Sequence, residues 1–265
     1  MSSGNGVPVS VVIPTYERAD ILPRAIESVR TQSVRPAEIL VVDDHSNDST
    51  GVVVQEIDDP LIDYHRHSRN KGANAARNTG IRNASSQFVA FLDDDDRWYE
   101  SKLEAQMSRF ADVDPDVGLV YTGRRVVDDD TPLEEYVPCT EGDVVGDLLW
   151  RNFVPSETPV VRRECFQGVG HFDERLQSSQ DWDMWLRIAK EYQFACVSEV
   201  LAESHHDASN RISTDYGRKC RGLIQIFENH CDAFLARPLC LVRHLARMSK
   251  YCGSYPFARI RDHNA

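Results

Sequence analysis

The sequence lacks a long hydrophobic run. No stretch of its 265 residues approaches the roughly 18 consecutive apolar residues that a membrane-spanning helix needs. Residues 1–6 have neither the basic start nor the apolar segment of a signal peptide. We therefore expect a flexible N-terminus over residues 1–6 and a cytoplasmic protein, whose further contact with the inner face of the cell membrane depends on its C-terminal tail.

Paired cysteines and glycine-rich phosphate loops are also missing. The seven cysteines are an odd number without any Cys-x-x-Cys spacing, which argues against a disulfide framework and a structural zinc site and predicts reduced thiols. Neither Gly-x-Gly-x-x-Gly nor Gly-x-x-x-x-Gly-Lys-Ser/Thr occurs. These two absences disfavour a dinucleotide-binding Rossmann site and a P-loop.

Lysine is scarce, and the negative charge is unevenly distributed. Only five of the 30 basic residues are lysines, and the net charge is −12. Residues 211–265 carry ten basic and four acidic side chains, so the chain before them has a net charge of −18. Such a body disfavours nucleic acid as a partner. It resembles the proteins of salt-loving archaea, in which salt screens self-repulsion; an acidic mesophilic protein is the alternative.

Short apolar runs alternate with helical patterns in the first half of the chain. Residues 9–13, 38–42 and 88–92 are rich in Val, Ile, Leu and Phe, and Pro14 is expected to end the first strand. Residues 19–29 carry apolar side chains at helical spacing. This alternation predicts parallel βαβ units. Residues 126–146, rich in Asp, Pro and Gly, are expected to be loops.

Polar residues follow each of these three strands. Thr15 and Glu17 follow the first, Asp44 the second, and the four aspartates 93–96 the third. In open α/β sheets, ligands bind outside the carboxyl ends of the strands. Four adjacent carboxylates repel one another unless a cation or water screens them, which favours a divalent metal; a solvated acidic turn is the alternative.

Three further positions each allow two interpretations. Asp44 either accepts the ring N–H of a nucleotide base or caps the helix that starts near Ser49. Lys71 and Arg77 either face a diphosphate or belong to a helix whose small residues permit close packing. Asp181, at the start of a helix with an apolar stripe, is either a functional carboxylate or a partner of the helix dipole.

Together these segments resemble the inverting nucleotide-sugar glycosyltransferases of family 2, which have the GT-A fold. The resemblance covers residues 7–210 and rests on the segments 9–18, 42–50, 70–80, 91–96, 170–173 and 180–187. It implies an α/β fold with a Rossmann-like, nucleotide-binding mixed sheet flanked by helices. Residues 7–100 would form the nucleotide-sugar-binding half and residues 101–210 the acceptor-binding half, with residues 211–265 as a basic helical C-terminal appendage.

The resemblance also implies roles for individual residues. The implied nucleotide-sugar-binding residues are Pro14, Thr15, Glu17, Asp44, Lys71, Arg77, Asp93 and Asp94. The implied ligands of Mg2+ or Mn2+ are Asp95, Asp93 and His206, and Asp181 matches the catalytic base. Gln180 stands where the family usually has Glu, so a second carboxylate is absent there. For His206 a surface position is the alternative, and His205 competes for its role.

The resemblance implies metal-dependent transfer of a sugar from a nucleoside-diphosphate sugar to an acceptor hydroxyl or phosphate. The expected acceptor is a glycan or polyprenyl-phosphate-linked glycan for surface glycoprotein or envelope polysaccharide. A sugar nucleotidyltransferase and a catalytically silent carbohydrate-binding scaffold are the alternatives.

The tail mixes apolar and basic residues around Pro238, which is expected to break it into two helices. It either lies on an anionic membrane as a peripheral contact or caps the acidic body.

Overall fold

A computed structural model describes residues 6–128, 131–205 and 216–252, in which helices and strands alternate. The strands are β1 (Val7–Thr15), β2 (Pro36–Asp43), β3 (Ile62–Arg66), β4 (Phe88–Phe91), β5 (Arg97–Trp98), β6 (Val117–Asp128), β7 (Thr131–Tyr136), β8 (Val160–Arg162) and β9 (Gln193–His205). The helices are α1 (Leu22–Arg30), α2 (Thr50–Glu56), α3 (Ala73–Asn83), α4 (Lys102–Asp112), α5 (Val145–Trp150), α6 (Arg163–Val169), α7 (Gln180–Ala189), α8 (Tyr216–Asn229), α9 (Cys231–Leu235) and α10 (Pro238–Cys252).

The described strands form one mixed sheet in the order β3-β2-β1-β4-β8-β6-β9-β5, and β7 pairs with β6 beside this order. Strands β1 to β4 pair in parallel, as the alternation of strands and helices predicts. Strand β8 then runs antiparallel between β4 and β6, and β6 pairs in parallel with β9. The sheet is therefore parallel in the first half of the chain and mixed in the second.

Helices cover both faces of the sheet. Val11 of β1 packs in a core with α1, α2 and α4, whereas its neighbour Val12 packs in a second core with α3, α5, α7 and α8. Successive residues of a strand point to opposite faces, so a strand buried on both sides is apolar throughout. This is why the central strands are readable as continuous apolar runs.

Strand β1 continues through Pro14 to Thr15, so the expected strand end at Pro14 is wrong. The carbonyl of Val12 accepts from the backbone N–H of Leu92, on the β4 side. Because backbone groups alternate sides, the nitrogen of Pro14 faces the same side, where β4 has already ended at Phe91. The missing N–H therefore costs no ladder hydrogen bond.

The loops expected over residues 126–146 are partly strand. Strand β6 extends to Asp128 and pairs antiparallel with β7, and α5 begins at Val145. The side chains of β7 are almost all exposed. An edge strand without a buried face has no alternation of apolar and polar residues, which explains why the sequence does not reveal it.

The C-terminal helices pack on the second of these cores, the one that contains Val12. Leu223, Ile226 and Phe234 are buried in the same core as Trp182 and Trp185 of α7. The tail is interrupted before Pro238, which is the first residue of α10, but the part before it forms two helices, α8 and the short α9, instead of one. Cys220 is disulfide-bonded, which corrects the expectation of a reduced thiol there.

Among the helices that the structure describes, none has both the length and the apolarity to cross a membrane.

Candidate active site

A cavity of about 760 Å³ opens at the edge of the sheet where β1, β2 and β4 end. Its lining consists mostly of polar and charged side chains: Pro14, Thr15, Tyr16, Glu17, Arg18, Asp44, Ala73, Ala76, Arg77, Asp93, Asp94, Asp95, Asp96, Arg124, Ser156, Glu157, Ser204 and His205. The position is the one expected for a ligand site in an open α/β sheet. Seven of the predicted nucleotide-sugar-binding residues lie together here.

The loop after β1 brings Glu17 to this cavity in a left-handed backbone conformation, with φ of 53°. Its N–H donates to Ser46 Oγ over 2.8 Å, and Asn47 Nδ2 donates to Glu17 Oε1 over 3.4 Å. These bonds join the loops after β1 and β2. They form one wall of the cavity, to which Tyr16 and Arg18 also contribute.

Asp44 is buried and holds the loop that precedes α3. Its Oδ1 accepts from His67 Nδ1 over 2.7 Å and from the backbone N–H of Lys71 over 2.8 Å, and its Oδ2 accepts from the N–H of Gly72 over 2.6 Å. Gly72 has φ of 91°, which favours glycine. The alternative that Asp44 caps α2 is wrong, because Asp48 Oδ1 accepts from the N–H of Thr50.

Lys71 contacts Asp44 through its backbone N–H and not through its side chain. Its side chain is exposed and is not among the described residues that line the cavity. Arg77, four residues into α3, does line it. A role for the Lys71 side chain in binding a diphosphate stays a prediction.

The four aspartates after β4 differ in their surroundings. Asp93 Oδ1 accepts from Arg77 Nη2 over 2.6 Å, and the buried Asp96 accepts from the N–H of His205 over 3.2 Å. Burial raises the pKa of Asp94 to about 7, and the negative charges of Asp95 and Asp93 act in the same direction. The carbonyl of Asp95 accepts from Arg24 Nη2. The run is therefore packed into the site rather than being a fully solvated turn.

A second, smaller cavity of about 220 Å³ adjoins the first. Phe91, Phe172 and Trp185 form its apolar part, and Gln180 and Asp181 lie at the start of α7. The two cavities share four residues: Ala73, Arg77, Asp93 and Ser156. Asp94 and Asp95 line only the larger cavity and Asp181 only the smaller one, whereas Asp93 lines both.

Asp181 lies in the first turn of α7, and no side-chain hydrogen bond caps that helix. Burial raises the pKa of Asp181, whereas hydrogen bonds from the N–H of Trp182 and from Asn152 and the charge of Arg77 oppose that rise. Asn152 Nδ2 donates to Asp181 Oδ2 over 2.7 Å. A carboxylate with a raised pKa beside a cavity is suited to accept a proton.

The lining includes residues that the sequence analysis missed, among them Arg18, Arg124, Ser156 and Glu157. Arg18 lies in the segment after β1 but was given no role, whereas Arg124, Ser156 and Glu157 belong to no motif, because the folding of the second half of the chain brings them to the cavity. His205 also lines the cavity, whereas His206 lies outside the described residues.

The site suits a divalent cation that is shared with a substrate. In the described ranges, no group of three or more His, Cys, Asp or Glu side chains is arranged to hold a metal. Mg2+ in nucleotide sites usually takes only one or two carboxylates, with phosphate and water as its other ligands. Asp95 and Asp93 line the larger cavity and supply that donor set.

Comparisons with solved structures support the fold. TarS 1–349 of S. aureus, in complex with UDP-GlcNAc, matches with a TM-score of 0.75 and 17% identity, over 95% of this chain and 77% of that chain. The mannosyltransferase PcManGT of Pyrobaculum calidifontis, in complex with GDP-Man and Mn2+, matches with a TM-score of 0.65 and 20% identity, over 96% and 77%. The predicted GT-A fold is confirmed.

Sequence relatives carry glycosyltransferase names. The putative teichuronic acid biosynthesis glycosyltransferase TuaG of Bacillus subtilis is 30% identical over 78% of this chain and 82% of its own length. WfgD of Escherichia coli, named as a UDP-Glc:alpha-D-GlcNAc-diphosphoundecaprenol beta-1,3-glucosyltransferase, is 29% identical over 89% and 92%. The chain spans only 64% and 66% of the uncharacterized glycosyltransferases of Rickettsia typhi and Rickettsia prowazekii.

A family profile agrees with these relatives. Residues 10–166 match the family described as "Glycosyl transferase family 2". The match begins in β1, includes the aspartate run after β4, and ends in α6. The chain belongs to glycosyltransferase family 2.

Proposed function

We propose that the protein transfers a sugar from a nucleoside-diphosphate sugar to an acceptor hydroxyl or phosphate, with inversion at the anomeric carbon. The junction of the two cavities carries this proposal. A donor lying in the larger cavity would place its sugar near Arg77, Asp93 and Ser156, with Asp181 on the far side. The two acidic groups could then act on opposite faces of one carbon.

In this proposal the nucleoside lies against Pro14, Thr15, Glu17 and Asp44, all of which line the larger cavity. Asp44 already accepts three hydrogen bonds, which fix its orientation and leave lone-pair capacity for one donor from a base. Arg77 and Arg18 are two of the arginines that line the cavity, and in this proposal they face the diphosphate. TarS and PcManGT, with their UDP-GlcNAc and GDP-Man complexes, support a nucleotide-sugar donor.

We assign the metal role to Asp95, assisted by Asp93, and the cation to Mg2+ or Mn2+. When bound there, the cation would supply Lewis-acid stabilisation of the charge that develops on the leaving diphosphate. Arg77, which pairs with Asp93 and lines the same cavity, would face the leaving diphosphate and stabilise part of this charge. His206 as a further ligand stays a prediction.

Asp181 would accept the proton of the acceptor hydroxyl as its oxygen attacks the anomeric carbon. The displacement occurs in one step, so it inverts the configuration and needs no covalent intermediate. One base then suffices, in contrast to the paired carboxylates of glycoside hydrolases. Gln180 beside it is uncharged, which agrees with a single base.

The proposed acceptor is a lipid-linked glycan of a cell-surface polysaccharide or glycoprotein. WfgD acts, by its name, on a diphosphoundecaprenol-linked sugar, and TuaG is named for teichuronic acid biosynthesis. The acidic, lysine-poor composition supports a salt-loving archaeal source, which stays a prediction.

A lipid-linked acceptor would place the enzyme at the membrane surface, and we propose that α10 makes this contact. Leu239 and Val242 are 79% and 65% exposed, an unusual exposure for large apolar side chains on a helix whose other face is buried. Arg243 lies beside them, stacks on Trp150 with 4.1 Å from its guanidinium carbon to the ring centroid, and donates to the Trp150 carbonyl. An exposed apolar stripe flanked by arginine suits an anionic lipid surface.

Liposome flotation tests this contact. We expect the protein to float with vesicles of anionic lipid and Leu239→Glu/Val242→Glu to remain at the bottom of the gradient. Val52→Glu serves as the matched control, because Val52 is a 57% exposed apolar residue on α2, in a different part of the chain. Equal flotation of all three proteins would contradict the proposal.

The transferase activity is tested with a panel of UDP-, GDP- and dTDP-sugars, Mn2+ and a polyprenyl phosphate extract. We expect one donor to release nucleoside diphosphate together with a glycosylated lipid. A nucleotidyltransferase would instead release sugar phosphate or diphosphate. A silent scaffold would neither turn over a donor nor bind nucleotide in calorimetry.

A further inference from the structure

Asn152 lies beside the carboxylate to which the proposed function assigns the proton transfer. It follows α5 by two residues, and its Nδ2 donates to Asp181 Oδ2 over 2.7 Å. It carries no charge and belongs to none of the motifs in the sequence. The contact joins the loop after α5 to the first turn of α7, across 29 positions in the chain.

The orientation of the Asn152 amide is fixed from its other end. Its Oδ1 accepts from the backbone N–H of Val154 over 3.2 Å. Because the oxygen is engaged by a donor, the NH2 group is the end that faces Asp181. The side chain is therefore held as a hydrogen-bond donor to this carboxylate.

Few other groups act on the Asp181 carboxylate, so the hydrogen bond from Asn152 has a large share in orienting it. The other groups that act on its carboxylate are the backbone N–H of Trp182 on its own helix, Arg77 from α3 and Asp93 from the loop after β4. Arg77 is already paired with Asp93 over 2.6 Å. Asn152 is thus a neutral side-chain donor that orients Oδ2 without competing for the arginine.

We propose that Asn152 is the positioning residue of the acceptor side, which fixes the Asp181 carboxylate so that its second oxygen meets the acceptor hydroxyl. The inference rests on the proposed transferase function. Asn152 itself touches neither donor nor acceptor in this scheme, and it is not among the described residues that line either cavity. Its effect is exerted through Asp181 alone.

The test compares Asn152→Ala and Asn152→Asp with the wild type over a range of pH. Losing a hydrogen bond to a charged group should lower kcat on the order of tenfold to a hundredfold, with the KM for the donor unchanged. The acid limb of the kcat profile should move to higher pH in both variants. The shift should be larger for Asn152→Asp, because a second carboxylate opposes ionisation of the first.

Asn83→Ala is the matched control, because Asn83 donates to the carbonyl of Thr79 on an exposed part of α3. A carboxyl-carbon NMR titration of Asp181 gives a second readout that needs no turnover, and Asn152→Ala should raise its titration midpoint. An unchanged midpoint would overturn the proposal, whether or not the enzyme is active on the donors chosen. An inactive wild type with the expected NMR shift would count against the proposed function only.

Discussion

At the scale of single residues, Asp181 and Asp183 show how one helical turn can hold two carboxylates with opposite properties. Burial raises the pKa of Asp181. Asp183 also lies in the first turn, yet its pKa falls to about 2, although burial alone would raise it. It accepts from Arg187, Asn229 and His230 over 2.9 to 3.0 Å. Asp183 therefore stabilises the fold as an anion, whereas an anionic Asp181 is costly.

This contrast predicts opposite results for two matched substitutions. Asp183→Asn should lower the free energy of unfolding at pH 7 by about 2–3 kcal/mol, because the ionised form of this side chain is the one that the fold favours. Asp181→Asn should leave it unchanged or raise it, because a neutral isostere removes a buried charge. Urea denaturation of both variants measures the difference. Equal losses would contradict the assignment.

The same shift sets a pH dependence. An aspartate in the unfolded chain has a pKa of about 3.9, so the contribution of Asp183 is fully present above about pH 5. It is lost as the pH falls through its folded value of about 2. The stability difference between wild type and Asp183→Asn should therefore shrink between pH 5 and pH 2. A difference that stays constant over this range would show that the carboxylate charge is not responsible.

Asp181 could be predicted as a site residue from the sequence, but the hydrogen bonds and charges that set its pKa could not. Both aspartates fall in the first turn of a helix with an apolar stripe, and only the family resemblance separates them. Asn152 could not have been predicted, because its contact with Asp181 depends on how α5 and α7 pack. His230, which also bonds Asp183, lies still further along the chain, in the turn between α8 and α9.

At the scale of elements, α3 and β1 approach each other closely where the site is built. A Cβ at Gly80 of α3 would lie 2.3 Å from Cγ1 of Val12 and 2.6 Å from its Cγ2. Glycine at this position therefore lets the helix lie directly on the strand. The same helix carries Arg77, which lines the cavity, so this packing also helps to position Arg77.

Gly80→Ala should lower the free energy of unfolding by about 1–2 kcal/mol. Overpacking typically costs about 1–3 kcal/mol, while the better helix propensity of alanine recovers up to about 1 kcal/mol. In a Val12→Ala background the methyl group has room, so Gly80→Ala should become neutral or stabilising. A double-mutant cycle by urea denaturation measures the coupling. Additive effects of the two substitutions would contradict the close approach.

Helices and strands could be predicted where their burial gives the sequence a regular pattern of apolar residues. Strands β1, β2 and β4 read as apolar runs, and α1 and α7 carry apolar residues at helical spacing. The two-residue β5 and the exposed β7 carry no such signal. Strand β9 spans 13 residues, but its burial changes along its length, so no single alternation covers it.

At the scale of the whole molecule, the C-terminal helices complete the core. Ile226 and Phe234 are fully buried in the core that also contains Val12 of β1 and Trp182 and Trp185 of α7. From the sequence, a cap on the acidic body was one of two alternatives for this part of the chain, and its basic composition did not decide between them. The charged residues lie on the solvent-facing side of these helices, whereas the apolar residues on the other side determine how the helices pack.

Two neighbouring residues test the packing. Phe234→Ala should cost about 3–5 kcal/mol, the usual loss for a fully buried aromatic side chain. Leu235→Ala should cost less than about 0.5 kcal/mol, because Leu235 is 64% exposed. Thermal and urea unfolding compare the two. Similar small losses for both would show that the C-terminal helices do not belong to the core.

We propose that the larger cavity binds the donor and that Asp181, in the smaller cavity, accepts the proton. The most direct test measures donor affinity and transfer rate together, in the presence and absence of Mn2+, for wild type, Asp95→Ala and Asp181→Asn. We predict that Asp95→Ala loses the Mn2+-dependent part of donor binding. Asp181→Asn should bind the donor as the wild type does but transfer sugar at least about a hundredfold more slowly. Undiminished transfer by Asp181→Asn, or donor binding in Asp95→Ala that still responds fully to Mn2+, would contradict the account.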